Sequence, residues 1–455
     1  MDINKEIERI IEYQNSSLLL QDRKTETALK TIKEQVINDY ENKDFDFSKF
    51  TDIPIKQMGK VRHTKAFELF SCEETLCIYL KRTLDRKFHI KYPNRNEYIH
   101  SLFDVISALH NMNDFSIYRF DFEDFFNSIS SEYVFQKYIS KSSLERYQIE
   151  LFENFVAKTK YAYAGLNTSN IICEIIAKHF DEVLYLKFKK HGLIFYRRYI
   201  DDGILIFNKR VGAALCLSII NDVISEIFFD NTINVSKQCK TRLNASKTKY
   251  ISAYDLAFTQ STDDFDFLGY KFVVSPVLVP RNQQIKTSFK YGITQKKIDK
   301  YAKRIDDIIK EYQHSKDMEL LRHQLKAFAF RTVYQIPKYK SLIWKTKGFI
   351  ANYQELRYKM DLLTDDTRDF LKNSIVNAFT SKGLALPYFL TGSSDESIYN
   401  LYNNMSNYRT LLFVEPIGIN KNGLDRLCKQ IGIWDPHKDY DGLVRDYLIK
   451  VKVGH

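Results

Sequence analysis

The sequence predicts an α+β protein: an antiparallel sheet with helices over residues 51–280, followed by an all-helical C-terminal domain over 281–455. Three observations lead there. From about residue 50 to 275, short β-branched and aromatic runs bounded by Gly, Asn and Asp alternate with stretches of helical periodicity. Beyond Pro276 and Pro280 the strand signals fade and apolar residues recur at helical spacing. Within the mixed region, acidic residues sit at the ends of predicted strands rather than in polar loops.

Taken in order, residues 1–50 read as a polar, mobile helical extension, with charged stretches such as Asp22-Arg23-Lys24 and little to bury. Glu74–Leu84 and Tyr98–Leu109 have helical periodicity, and an apolar helix runs over Ile171–Phe180. The expected strands are Phe115–Phe120, Gly192–Arg198, Gly203–Phe207 and Phe265–Val274. A boundary is expected near 276–290, with helices Gln295–Tyr312, Met318–Phe330, Leu356–Phe379 and Leu424–Ile433 beyond it.

Composition bounds the function. A 44% hydrophobic, 27% charged chain of 455 residues is a folded protein with a sizeable core, not a disordered one. Thirty Tyr and thirty-three Phe supply flat surfaces on which bases can stack, although most such rings are ordinarily core. The formal net charge is +11, and residues 281–347 alone hold seventeen Lys/Arg against six Asp/Glu. Such a stretch is either a solvated face or a seat for a polyanion. The six cysteines, Cys72, Cys77, Cys173, Cys216, Cys239 and Cys428, show no CxxC spacing and read as reduced, buried thiols. The first residues, MDINKEIERI, lack an apolar leader, and no run approaches the ~18 apolar residues of a membrane span. A cytoplasmic protein with no membrane partner is the expectation.

The chemistry is carried by acids. Tyr199-Ile200-Asp201-Asp202 separates Leu193-Ile194-Phe195 from Ile204-Leu205-Ile206-Phe207, the pattern of a β-hairpin with two carboxylates at its tip. Adjacent carboxylates repel, and a divalent cation relieves that repulsion; a solvated turn is the ordinary alternative. Eighty residues upstream, Tyr118-Arg119-Phe120-Asp121-Phe122 delivers Asp121 on a strand between two phenylalanines, where an unpaired carboxylate is costly. Bringing Asp121 to the hairpin would build a two-metal site, with metals ~3.5–4 Å apart, suited to phosphoryl transfer.

These residues resemble the motifs of reverse transcriptases. Asp121 to Ile129 is similar to their motif A and Tyr199–Asp202 to the YxDD of motif C. Ala164-Gly165-Leu166-Asn167-Thr168-Ser169 resembles motif B, Leu243 to Lys249 motif D, and Phe267-Leu268-Gly269-Tyr270 the primer grip of motif E. The five occur in the family's order and cover about half of the chain. The resemblance implies a right-hand polymerase with fingers and palm over 51–280. It implies Mg²⁺ (or Mn²⁺) on Asp121, Asp201, Asp202 and the Phe122 carbonyl, with dNTPs as substrate and a DNA product. Lys247 would protonate the leaving pyrophosphate, with an exposed turn lysine as the alternative. Phe126 would be a steric gate against a ribose 2′-hydroxyl, with a core phenylalanine as the alternative. Lys91 and Arg95 would contact the triphosphate, and Gly165 and Ser169 would lie beside the nucleotide. Phe267, Leu268, Gly269 and Tyr270 would position the primer.

The pattern also departs from the family. Ala164 stands where templating members have Gln, and Lys91-Tyr92-Pro93-Asn94-Arg95 replaces a Gly-containing fingers loop. The NAxxH and VTG elements of retron enzymes are absent, as is an RNase H region. Ile293-Thr294-Gln295-Lys296-Lys297-Ile298 is similar to the opening of the helical region in bacterial abortive-infection and unknown-group reverse transcriptases. That subgroup implies antiphage defence, synthesis without a template, priming from a protein side chain, and homo-oligomers. The alternatives are RNA-templated synthesis with an associated non-coding RNA, and a non-catalytic nucleic-acid scaffold. A nuclease with an R-x4–6-H motif finds matches only at Arg95/His100 and Arg82/His89.

Overall fold

The computed structural model describes residues 3–18, 22–57, 60–279, 284–338, 341–392 and 397–453. The chain divides into two compact units, Met1–Tyr98 with Met112–Thr259, and Ile99–Asn111 with Gln260–His455.

The first unit opens with α1 (Ile3–Ser17) and α2 (Glu26–Glu41), the latter capped by the Thr25 hydroxyl accepting from the Ala28 N–H at 3.3 Å. The expectation that this extension buries little is overturned. Ile7, Ile10 and Ile11, spaced for one helix face, and Val36 of α2 join one core cluster with Leu76 and Leu80 of α3 (Cys72–Lys87). Between them lies the hairpin of β1 (Thr51–Gln57) and β2 (Lys60–Ala66). Helix α4 (Arg95–Leu109) follows α3, and its residues from Ile99 onward belong to the second unit.

The centre of the first unit is a four-stranded antiparallel sheet in the order β4-β5-β3-β6. Its strands are β3 (Ser116–Asp121), β4 (Leu193–Tyr199), β5 (Asp202–Phe207) and β6 (Lys249–Ser252). After β3 come two single turns, α5 (Phe125–Ser128) and α6 (Ser131–Val134), then α7 (Arg146–Lys158) and α8 (Ser169–Lys189). Helices α9 (Ala213–Phe228) and α10 (Ala253–Thr259) complete the unit. Alternation along β3 sends Tyr118 and Phe120 to one face and Arg119 and Asp121 to the other. Phe120 and Phe122 pack with Phe180 of α8 and Phe228 of α9, ring centroids 5.4–6.4 Å apart, so these two helices cover the aromatic face. Gly203 lies opposite Phe120 in the ladder, and a Cβ there would meet the Phe120 ring at 2.2 Å.

The second unit begins with a three-stranded antiparallel sheet of β7 (Asp263–Phe267), β8 (Tyr270–Val279) and β9 (Gln284–Ile293). The single strand expected over Phe265–Val274 is a hairpin. Leu268 and Gly269 take φ of +50° and +82°, and they reverse the chain as a two-residue turn with both residues left-handed. The division between units precedes β7, whereas the boundary read near 276–290 falls within the β8–β9 ladder; Pro280 lies outside the described residues. Phe103 of α4 meets Tyr270, Phe272 and Tyr291 of this sheet at 4.8–5.7 Å.

Helix α11 (Gln295–Ser315) buries Ile298, Tyr301, Ile305, Ile308 and Ile309, leaving its lysines on the other face, and α12 (Met318–Ala329) follows. The C-terminal region is not all-helical. A second sheet, β11-β10-β12, is built from β10 (Arg331–Lys338), β11 (Ser341–Lys347) and β12 (Thr410–Phe413), with β12 parallel to β10. Lysines interleaved between apolar positions hid the two-residue period: Thr287, Phe289, Tyr291 and Ile293 of β9 are buried around Lys286 and Lys290. Helices α13 (Phe349–Asn352), α14 (Asp365–Thr380), α15 (Leu401–Ser406), α16 (Lys421–Gln430) and α17 (Tyr440–Lys450) complete the unit. The helix expected over Leu356–Phe379 is broken at Leu363-Thr364, where a 3₁₀ segment (Gln354–Leu362) stops and α14 starts behind an extended Thr364 with two aspartates in its first turn.

Gly203→Ala should lower the unfolding free energy by about 1–3 kcal/mol through overpacking against Phe120. In urea titrations Phe120→Leu should relieve part of that loss, and strict additivity of the two changes would show that the ring is not the obstacle.

Candidate active site

Asp121 ends β3 and Asp202 begins β5, and the ladder sets the two directly opposite each other. Asp201 precedes Asp202 in the tight β4–β5 connection, where Tyr199 pairs with Asp202. One ligand oxygen from each of Asp121, Asp201 and Asp202 can be chosen so that all lie within 4.8 Å of one another. The sheet has thus brought together the three acids that the sequence pattern singled out.

Backbone bonds fix this gathering. The Phe122 N–H donates to the Asp201 carbonyl at 3.0 Å, and the Asn244 N–H donates to the Asp121 carbonyl at 2.8 Å. The connection itself is strained: Ile200 has φ +59°, a conformation costing a β-branched residue about 1–2 kcal/mol. Arg198 supports it. Its Nη1 donates to the Ile200 carbonyl at 2.8 Å, Nη2 to Glu174 Oε2 at 2.7 Å, and Nε to Asp181 Oδ1 at 2.9 Å. The Tyr196 hydroxyl donates to the same Asp181 oxygen at 2.6 Å. Burial alone would lower the Arg198 pKa, but the Asp181 and Glu174 charges hold it well above its ordinary value.

Two cations face the acids. Arg119 Nη2 donates to Asp202 Oδ1 at 2.8 Å, and Lys247 Nζ reaches both oxygens of Asp121 at 2.8 and 2.9 Å. Burial pushes the Asp202 pKa up to about 6 against the pull of Arg119, with Asp201 and Asp121 adding repulsion. A hard divalent cation suits this donor set: three carboxylates are close enough to share it, and it would offset the burial and repulsion that raise the Asp202 pKa.

The other expected residues are placed as follows. Lys247 stands on Asp121, an acid-facing position that its sequence role as a proton donor did not specify. Phe122 turns its ring into the aromatic core, and half-buried Phe126 on α5 packs edge-on against Phe125 at 6.1 Å. Gly165, at φ +105°, is approached by β2: a Cβ there would lie 2.5 Å from the Lys65 carbonyl oxygen, and the Lys65 N–H donates to the Ala164 carbonyl at 2.8 Å. The close approach expected of a nucleotide is therefore made by a strand of the protein itself. Ser169 is buried, its hydroxyl donating to the Tyr163 carbonyl. Lys91 is exposed before α4 and Arg95 is the first residue of that helix, so their triphosphate role rests on the resemblance alone. Phe267 and Tyr270 are fully buried in the second unit, which leaves the Leu268-Gly269 turn as the more exposed part of the expected primer grip.

Sequence reasoning missed Arg119 and the Arg198 cluster. Arg119 was legible by parity, two residues from Asp121 on one strand face. Arg198, charged within an apolar strand, needed partners on α8 that no local pattern reveals.

No known protein family profile and no curated protein matches the chain. Among solved structures, it is similar to apo telomerase from Candida tropicalis truncated from its C-terminal domain, at 12% identity and a TM-score of 0.35. That alignment covers 53% of this chain and 55% of the telomerase chain, so the chain spans about half of that relative's length. Telomerase from Candida albicans, in complex with a TWJ fragment of telomeric RNA, aligns at 12% identity and a TM-score of 0.36, over 94% of this chain and 68% of that one.

Arg198→Ala should destabilise the protein by about 3–5 kcal/mol in denaturant titrations, because Glu174 and Asp181 lose their cation. Mn²⁺ affinity, followed by electron paramagnetic resonance, should fall as pH drops through about 6, where a proton competes for Asp202. A flat profile between pH 5 and 7 would remove Asp202 from the ligand set.

Proposed function

We propose that this chain is a DNA polymerase of the reverse-transcriptase type, which joins dNTPs to a growing strand at Asp121, Asp201 and Asp202. The observation that carries the reading is the convergence of these acids, from strands eighty residues apart, on one end of an antiparallel sheet. Mg²⁺ (or Mn²⁺) bound to the three carboxylates would supply Lewis-acid activation of a primer hydroxyl and charge neutralisation on the triphosphate.

The chain's own groups divide the remaining work. Arg119 holds Asp202 towards its ionised form. Lys247 neutralises Asp121 and is the group proposed to protonate the leaving pyrophosphate. The Phe126 ring, one short turn beyond Asp121, is the group proposed to exclude a 2′-hydroxyl. Ala164 offers no side-chain amide to frame a templated base, which favours synthesis that does not copy a template. The resemblance to abortive-infection enzymes extends the proposal to antiphage defence, with a tyrosine hydroxyl as the primer.

Purified protein given Mg²⁺ and single dNTPs, without template or primer, should yield polymer, and Asp201→Ala and Asp121→Ala should reduce it to background while melting normally. A product that shifts on protease treatment would mark protein priming. Silence here, with activity on a primed RNA, would restore templated reverse transcription; silence in both would refute the polymerase. Phe126→Ala should admit ribonucleotides, and unchanged sugar discrimination would remove Phe126 from the gate. Lys247→Met should bind Mn²⁺ more tightly yet turn over more slowly, a split that a merely structural lysine would not produce.

A further inference from the structure

A second cluster of cations stands in the C-terminal unit, and the polymerase reading makes no use of it. Arg322 and Lys326, one turn apart on α12, and Arg426 on α16 line a cavity of about 640 Å³, within the ~300–1,000 Å³ usual for small-molecule sites. Asparagine and glutamine side chains, Asn422 and Gln430, complete its polar wall, and among the described residues no Asp or Glu lines it. We propose that this cavity binds a nucleoside triphosphate through its phosphates.

Basic residues on helices are ordinarily solvated and mean nothing by themselves. Here Arg426 is exposed, but Arg322 and Lys326 are not simply solvated. Lys326 is half-buried and its pKa is lowered, first by burial and then by the Arg322 charge. Arg322 has one carboxylate partner, Glu319 at 2.5 Å, while its Nε is buried without a hydrogen-bond acceptor. Lys326 and Arg426 have no carboxylate partner among the described residues. An anion in the cavity would relieve the repulsion between Arg322 and Lys326.

The walls are built to stay in place. His323, buried behind the cations, is held on both nitrogens, by the Tyr447 hydroxyl at 3.0 Å and by Gln430 Oε1 at 3.1 Å. The ten-residue helix α16 begins at the cavity, with Asn420 accepting from the Gly423 N–H at 2.9 Å, so its N-terminal dipole adds to the positive field. Three cations beside a helix N-terminus match a polyphosphate better than a single phosphate or a carboxylate, and the volume leaves room for a nucleoside. The same phosphate chemistry could come from the 5′-triphosphate end of an RNA, which the experiment separates.

The test is isothermal titration of the full chain in EDTA, which removes metal-dependent binding at the three aspartates. ATP, dATP, inorganic triphosphate and a short 5′-triphosphorylated RNA are the probes. Nucleotide binding that weakens at least tenfold in Lys326→Ala/Arg426→Ala, persists in Asp121→Asn/Asp201→Asn, and is competed by inorganic triphosphate is the expected result. Unchanged melting of the unliganded variants would show that they fold. Binding indifferent to Lys326 and Arg426, or no binding of any probe, would overturn the site. Dependent binding of the RNA end alone would overturn the small-molecule assignment. None of these outcomes depends on whether the chain polymerises DNA.

Discussion

The arrangement of the first unit turns on one electrostatic conflict: Asp121 and Asp202 are cross-strand partners, like charges placed directly opposite each other, with Asp201 beside them. Such a pair destabilises a ladder unless counter-charge is supplied. Two cations supply it, Arg119 from the same strand face and Lys247 from the loop that also donates a backbone N–H to Asp121. On the opposite face, Phe120 sits over a glycine and against Phe180 of α8, while Phe122 packs on Phe228 of α9, and this packing opposes separation of the strands. The carboxylates are held together by packing they do not take part in.

Arg198 serves the same end from behind the sheet. A buried guanidinium with two carboxylates is poor evidence of stability, since an apolar replacement of the whole group often does as well. Geometry is what it contributes. Its remaining donor goes to the carbonyl of Ile200, the one left-handed residue of the β4–β5 connection. Residues on α8 thereby bear on the conformation that presents Asp201 and Asp202, and strain at that point is sustained by the structure around it.

The parts legible in the sequence were those with a local signal. Asp121, Asp201 and Asp202 stand against apolar flanks, and β3, β4 and β5 lie within one residue of their expected bounds. What escaped lacked such a signal. Strand β9 carries lysines between its apolar positions, and β10 and β11 lie in the same stretch rich in lysine and arginine, so none of the three stood out as a strand. Ile7, Ile10 and Ile11 form too short a stripe to stand out in a charged segment, yet they are wholly buried. Gly165 suggested an approaching nucleotide, and the backbone of Lys65 makes that approach. Long-range partners such as those of Arg198 leave no periodic trace at all.

The two cations at the acids are not equivalent, and the difference follows from burial. The Arg119 side chain is 11% exposed and its bond to Asp202 lies inside the sheet's packing. The Lys247 side chain is 50% exposed. An ion pair so open to water is worth about 1 kcal/mol or less, so a divalent cation attracted to the same oxygens can displace it at little cost. Arg119 would then remain as a fixed counter-charge to Asp202, and the freed ammonium would stay tethered beside Asp121. Under the proposed function, the position of Lys247 on Asp121 and its expected part in proton transfer would be two states of one flexible side chain, exchanged on binding of a cation by the carboxylates.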